Sequence, residues 1–158
     1  MVFGWLRRKP AVITKDYWSK SSSYPETWGD RATLAARHIA AGSHVLDIGC
    51  GRMQLRERLP AGCRYTPADM TKWTDEVHQI DLDRREFPPG TYDVVTLLGV
   101  LEYLQDPAFV IARAGQSATH LVTTYCHPLP TTDMARRRDN GWINALSVDE
   151  LRGLLGKG

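Results

Sequence analysis

Short apolar runs alternate with amphipathic stretches along most of the chain, and this alternation predicts the fold. Five runs have the length and composition of β-strands. The clearest is YDVVTLL at Tyr92–Leu98, which has the continuous apolar character of a strand buried on both faces. The other four predicted strands cover residues 45–48, 64–68, 77–80 and 120–124.

Helical patterns separate or follow these strands. We predict helices over residues 30–41, where Asp30 can cap the first turn, over 52–59 and over 107–115. A last helix is predicted at SVDELRGLL, where Ser147 and Glu150 have the spacing of a capping box.

This order of elements predicts an α/β fold. Strands that alternate with helices are typical of βαβ units, so we expect a Rossmann-like, doubly wound and mostly parallel sheet with helices on both faces. In such sheets, ligands bind outside the carboxyl ends of the strands.

Length and composition fit one globular domain. The chain has 158 residues, of which 42% are hydrophobic and 24% charged. We divide it into an irregular arm and cap over residues 1–29 and a Rossmann domain over 30–158.

The charge and the N-terminal sequence set the expected partners and location. The net charge of +2 and the lack of a basic stripe argue against a nucleic-acid partner. The apolar run in MVFGWLRRKP is too short for a secretory signal or a membrane span. We expect a cytoplasmic protein with reduced thiols, no membrane partner and, because its histidines are scattered, no metal site.

An aspartate and two glycines interrupt the apolar run HVLDIGCG. Burying Asp47 is unfavourable unless its carboxylate is paired or functional. Gly49 and Gly51 would let backbone N–H groups approach a ligand closely. Glycines also make tight turns where no ligand binds, so this turn alone is weak support for a binding site.

Two more acidic positions follow the next predicted strands. Asp69 lies twenty positions after Gly49, where a carboxylate can accept hydrogen bonds from a ribose diol. Asp81 and Leu82 follow the third strand, and a carboxylate beside an apolar side chain suits an adenine ring. An alternative interpretation is that each aspartate only caps a local turn. Together and in this order, the three strand ends predict a site for an adenosine-containing ligand.

The segments VLDIGCG, IDLD, YDVVTLLGVLEYLQDP and LVTTY, with Asp69 between the first two, carry a family resemblance. The sequence resembles the class I S-adenosylmethionine-dependent methyltransferases, and among them the small-molecule group with a VLDiGCG, fDvV and vLEHl pattern. The resemblance extends from about Tyr17 to the last predicted helix.

The resemblance implies S-adenosyl-L-methionine as the cofactor and roles for residues around the first turn. Asp47 would organise the turn near the amino group of the methionine portion. Gly49 and Gly51 would line the methionine and ribose, and Asp69 would bind the ribose hydroxyls.

It also implies contacts at the other strand ends. Asp81 and Leu82 would hold the adenine. Leu98, Gly99 and Val100 would form the wall near the sulfonium. Tyr17 resembles an arm residue that closes over the carboxylate of the cofactor.

Three features depart from the family pattern. Met53 replaces the third glycine of a GxGxG turn, and Tyr103 stands where the family often has histidine. The family normally adds two more strands after the last helix, so we expect a sheet that lacks the last two of seven strands. An uncovered edge on the fifth strand would favour a homo-oligomer.

The segment TTYCHPLPTTDMARRRDNGW follows the fifth strand, where the family places substrate contacts. His127 is the best candidate for a general base, because histidine titrates near neutrality, although an ordinary surface-loop histidine is the alternative. Tyr125 would line the pocket or pack. The arginine run 136–138 would clamp an anionic substrate or form a solvated face.

The sequence therefore predicts methyl transfer from S-adenosylmethionine to a small-molecule acceptor, with O-methylation slightly favoured. Two alternatives remain open. One is an inactive methyltransferase-like binding or scaffold domain, suggested by Met53, Tyr103 and the expected lack of the last two strands. The other is a nicotinamide-dependent oxidoreductase, which shares a glycine turn and a later acidic residue, although Gln54 stands where the third glycine of GxGxxG would fall.

Overall fold

A computed structural model describes Trp18 and residues 28–156. The strands are β1 (His44–Ile48), β2 (Arg64–Asp69), β3 (His78–Gln79), β4 (Tyr92–Leu98) and β5 (Ala118–Thr124). The helices are α1 (Trp28–Ala36), α2 (Pro107–Ser117), α3 (Met134–Asp139) and α4 (Val148–Leu155). Short 3-10 turns lie at Arg56–Arg58, Leu82–Arg84 and Leu101–Tyr103.

The strands form one parallel sheet in the order β3-β2-β1-β4-β5. The chain moves outward from β1 to β3 and then returns to place β4 on the other side of β1. At the centre, Leu46 of β1 is in register with Thr66 of β2 and Val95 of β4. The strand order therefore reverses between β1 and β4, and the carboxyl ends of these two strands border the crevice where such folds bind ligands.

Side chains along a strand alternate between the two faces of the sheet. Both faces are apolar here, and a helix covers each of them. Leu46 and Ile48 of β1 belong to a core cluster that includes Val110 and Ile111 of α2. Val45 points to the opposite face, into a second cluster built largely on the alanines of α1. The predicted doubly wound α/β fold is confirmed.

The predicted helix over residues 52–59 is wrong. This segment forms turns followed by the 3-10 turn Arg56–Arg58. Met53 has a φ of +57°, a left-handed conformation that cannot continue a right-handed helix. Its N–H donates to the Cys50 carbonyl at 2.7 Å, so the glycine turn extends through Met53.

Other boundaries differ by a few residues. Helix α1 begins at Trp28 and ends at Ala36, so Asp30 lies in its first turn and does not cap it. Strand β3 is shorter than predicted, whereas β4 has the predicted limits. The capping box at the start of α4 is confirmed: Ser147 Oγ accepts from the Glu150 N–H and Glu150 Oε2 accepts from the Ser147 N–H.

The two edges of the sheet are β3 and β5. Among the described residues β5 pairs with β4 alone, and most of its side chains are half-buried. Self-association through this edge stays a prediction. Every helix in the described part of the chain falls short of the length and hydrophobicity that crossing a bilayer requires.

The capping box yields a stability prediction. Leu151 and Leu154 of α4 pack against the core cluster on the α2 face, so fraying of this helix uncovers apolar surface. Replacing Ser147 with alanine should lower the free energy of unfolding by about 1 kcal/mol in urea denaturation. Ser147→Thr, which keeps a hydroxyl for both the Glu150 N–H and the Glu150 carboxylate, should lose less than half as much. An equal loss in both variants would contradict this account.

Candidate functional site

A cleft opens where the sheet order reverses, at the carboxyl ends of the strands. It is lined by residues that end or follow β1 to β4, by Trp18 and Arg31, and by part of the segment after β5. Eight of the nine predicted cofactor contacts line it: Asp47, Gly49, Gly51, Asp69, Asp81, Leu82, Leu98 and Gly99. The ninth, Tyr17, lies outside the described residues.

Asp47 is buried in the central strand with both carboxylate oxygens engaged. Thr96 Oγ1 of β4 donates to Oδ1 at 2.6 Å, and Tyr65 Oη of β2 donates to Oδ2 at 2.5 Å. Burial raises the pKa of Asp47 to about 6, against the opposing effect of these two hydrogen bonds. Asp47 therefore ties β1 to both neighbouring strands directly beneath the glycine turn.

Glycines follow both β1 and β4 and line the cleft. Gly49 has a φ of +72° and Gly99 a φ of +69°, both in the left-handed region that favours glycine. A Cβ on Gly49 would overlap Val100 Cγ2, and a Cβ on Gly99 would overlap the Arg31 guanidinium. A side chain at Gly49 would require Val100 to move, and one at Gly99 would displace the Arg31 guanidinium.

Asp69 links the end of β2 to the glycine turn. Its Oδ2 accepts from the Gly51 N–H at 2.9 Å, and its Oδ1 accepts from the Thr71 N–H at 2.8 Å. Burial raises the pKa of this carboxyl, while those hydrogen bonds oppose the shift. Each carboxylate oxygen has a second lone pair, so Asp69 can accept further hydrogen bonds from ligand hydroxyls.

Asp81 lines the cleft and also caps a local turn. Its Oδ1 accepts from the Asp83 N–H at 3.1 Å at the start of the turn Leu82–Arg84. The Leu82 side chain packs against the core cluster on the α2 face, which fixes this turn beside the cleft. The capping alternative and the ligand-binding one are therefore compatible at this position.

Three lining residues had no assigned place in the predicted cofactor site. Arg31 of α1 reaches the cleft and lies against Gly99. Trp18 and Tyr103 pack edge to face, with ring centroids 5.1 Å apart and an interplanar angle of 86°. The helical pattern marks Arg31 only as a polar position, and the approach of Trp18 to Tyr103 depends on tertiary folding. The sequence marks Tyr103 as a departure from the family pattern, but it does not show which of these three side chains meet.

The predicted substrate-side residues lie outside the lining of the cleft. His127 is exposed in the loop after β5, and its role as a base stays a prediction. Tyr125 packs rather than lines the cleft: its hydroxyl donates to Asn144 Oδ1 and accepts from the Leu146 N–H. Met53 does not line the cleft either.

Arg137 corrects the expectation for the arginine run. It is buried, whereas the arginines on either side of it are exposed. Its guanidinium donates to the Cys126 carbonyl at 2.6 Å and to the Asn144 carbonyl at 3.1 Å, and it stacks on the Trp142 ring. Arg137 therefore anchors the segment after β5 rather than clamping a substrate or facing solvent. The described residues contain no group of three or more His, Cys, Asp or Glu side chains placed to hold a metal ion.

Comparison with known proteins identifies the family. A family model described as a methyltransferase domain matches residues 18–157, nearly the whole chain. The chain belongs to the class I S-adenosylmethionine-dependent methyltransferases.

Several curated relatives, which share one name among themselves, match part of the chain. The ubiquinone biosynthesis O-methyltransferase of Azotobacter vinelandii is 37% identical over 120 residues, covering 63% of this chain and 52% of the relative. That of Nitrosococcus oceani is 35% identical over 92 residues, covering 48% and 39%. The chain thus spans about half of the length of these relatives or less.

Solved structures share the fold at low sequence identity. A chain from the complex between the Haloferax volcanii Trm112 methyltransferase activator and a methyltransferase has a TM-score of 0.66 at 17% identity, over 90% of this chain and 74% of that one. The N-methyltransferase NodS of Bradyrhizobium japonicum, solved with S-adenosylhomocysteine, has a TM-score of 0.59 at 19% identity, over 92% and 81%.

The buried Asp47 carboxyl predicts a pH dependence of stability. Its pKa is higher in the folded chain than in the unfolded one, so the folded state binds the additional proton between about pH 4 and pH 6. The contribution of this group to stability is therefore present at low pH and falls by about 3 kcal/mol as the pH rises through 6.

Asp47→Asn removes this titration. Urea denaturation of both proteins at pH 4.5 and pH 7.5 measures the difference in unfolding free energy between wild type and variant. We expect that difference to favour wild type more at the lower pH. A difference that does not change with pH would contradict the assignment.

Proposed function

We propose that this chain binds S-adenosylmethionine in the cleft and transfers its methyl group to a small-molecule acceptor, with O-methylation favoured. The observation that carries the proposal is the order of groups along the sheet edge. Asp81 and Leu82 follow β3, Asp69 ends β2, and the glycine turn follows β1. Adenine, ribose and methionine are joined in that same order in the cofactor.

The acceptor groups and the apolar contact at these strand ends fit such a ligand. Carboxylates at Asp81 and Asp69 can accept from the adenine amino group and the ribose hydroxyls, and Leu82 offers an apolar contact to the ring. The ligand's amino-acid portion would then lie at the crevice between β1 and β4. Arg31 lies there, against Gly99, and its planar guanidinium suits a carboxylate.

Another part of the cleft lining would receive the acceptor. Trp18, Tyr103 and Ile143 give this wall an aromatic and apolar character. S-adenosylmethionine supplies a methyl group on a positively charged sulfur, which is already reactive toward nucleophiles. The task of these residues is to orient the acceptor and exclude water, which is where much of such a rate enhancement originates.

O-methylation is favoured by the relatives, whose names describe an O-methyltransferase of ubiquinone biosynthesis. A hydroxylated ring would suit the aromatic wall. His127 remains our candidate for a general base only if the loop after β5 moves toward the cleft, because it is exposed and does not line the cleft in this structure.

Calorimetric titration with S-adenosylhomocysteine tests the cofactor half of the proposal. We expect wild type to bind and Asp69→Ala to weaken binding by about tenfold or more, because the ribose hydroxyls lose a charged acceptor. Asp75→Ala removes an exposed carboxylate outside the cleft and should bind as wild type does.

Asp69 also accepts hydrogen bonds from the Gly51 and Thr71 N–H groups, so the thermal midpoint of each variant is measured first. Asp69→Asn, which keeps one acceptor oxygen and the side-chain shape, serves if the alanine variant does not fold. A folded wild-type chain that does not bind S-adenosylhomocysteine would contradict the proposal.

Transfer is tested with S-adenosylmethionine labelled in its methyl group and a panel of phenols, amines and thiols. We expect label in the phenols at a higher rate than in the amines. Cofactor binding without transfer to any acceptor would favour the scaffold alternative. Binding of a nicotinamide dinucleotide in place of S-adenosylhomocysteine would favour the oxidoreductase alternative.

A further inference from the structure

Glu102 is a buried carboxylate that the proposed reaction leaves without a role. It lies in the turn Leu101–Tyr103 directly after β4 and is 1% exposed. Its Oε1 accepts from the Cys126 N–H at 2.8 Å, while its Oε2 is buried with no hydrogen-bond partner in the described residues. A carboxylate buried in this way needs compensation from a nearby positive charge.

Arg31 supplies that charge. Burial raises the pKa of Glu102, and the Cys126 N–H together with the positive charge of Arg31 opposes the shift. The Arg31 guanidinium also lies against Gly99, three residues before Glu102 in the chain. The Arg31 guanidinium therefore lies at the end of β4, where its positive charge stabilises the buried Glu102 carboxylate.

We propose that Glu102 is a positioning residue that holds Arg31 ready for the carboxylate of the methyl donor's amino-acid portion. The inference rests on the proposed function, since it assigns Arg31 to that ligand. A free arginine side chain populates many rotamers, and this freedom is lost when it binds a carboxylate. A buried anion that attracts the guanidinium would remove much of that loss in advance.

Glu102 would also have an electrostatic effect that weakens binding of the ligand carboxylate. Its negative charge partly neutralises Arg31 and repels a ligand carboxylate, so removing the charge would strengthen binding if neutralisation dominated. The two effects have opposite signs. The direction of the change in affinity therefore decides between positioning and neutralisation.

The test compares S-adenosylhomocysteine with its decarboxylated analogue, which keeps the adenosine, the thioether and the amino group. We expect Glu102→Gln to weaken binding of S-adenosylhomocysteine about fivefold and to change binding of the analogue less than about twofold. Arg31→Met should weaken S-adenosylhomocysteine about thirtyfold. The double variant should bind as Arg31→Met does, because Glu102 acts through Arg31.

The control separates positioning from general loosening of this part of the fold. Tyr125→Phe removes hydrogen bonds to Asn144 and Leu146 in the same region but leaves the Glu102 and Arg31 charges in place. Its ratio of affinities for the two ligands should equal that of wild type. Glu102→Gln keeps an acceptor for the Cys126 N–H. If it does not fold, Glu102→Asp, which withdraws the charge by one methylene group, is expected to weaken S-adenosylhomocysteine selectively as well.

Each outcome has a distinct meaning. Failure of folded wild type to bind S-adenosylhomocysteine would reject the proposed function. Binding by wild type with an unchanged or increased affinity in Glu102→Gln would reject the positioning role alone. Additive losses in the double variant would also reject it, because Glu102 would then act independently of Arg31.

Discussion

The architecture of this chain depends on burying one carboxylate at the centre of the sheet. Asp47 lies on β1 and receives its hydrogen bonds from Tyr65 on β2 and Thr96 on β4. A buried carboxylate without such partners would be strongly destabilising, so the three strands must keep the register that supplies both hydroxyls. That register also sets the end of β1 against the end of β4, where Gly49 meets Val100 and the cleft begins.

The carboxylates of the cleft hold the fold together in addition to lining the proposed ligand site. Asp69 fixes the glycine turn through the Gly51 N–H, and Asp81 fixes the turn that carries Leu82. Because these acceptors are already oriented by backbone donors, the proposed ligand would meet them with little rearrangement. The same contacts explain why removing either carboxylate is expected to disturb local structure as well as binding, and why folding must be measured beside affinity.

Features determined within a few residues could be predicted from the sequence. The continuous apolar run of β4 and the capping box of α4 each depend on neighbouring residues alone. The acidic residues at the strand ends could be ordered once the strands had been located in the sequence. The segment 52–59 was predicted wrongly because its apolar spacing resembles a helix, whereas the left-handed Met53 continues the turn. Arg31 was missed because α1 carries it to the cleft only when that helix packs on the sheet.

The same distinction explains why the cofactor was easier to infer than the acceptor. The proposed cofactor half is built from strand ends, whose relative positions are set by main-chain pairing. The other wall joins Trp18, Tyr103 and Ile143, which are distant in sequence. Ile143 is held there because its N–H donates to the Glu102 carbonyl. Since that wall depends on side chains and on the segment after β5, its chemistry can change without altering the strand ends, and acceptor specificity is expected to reside in it.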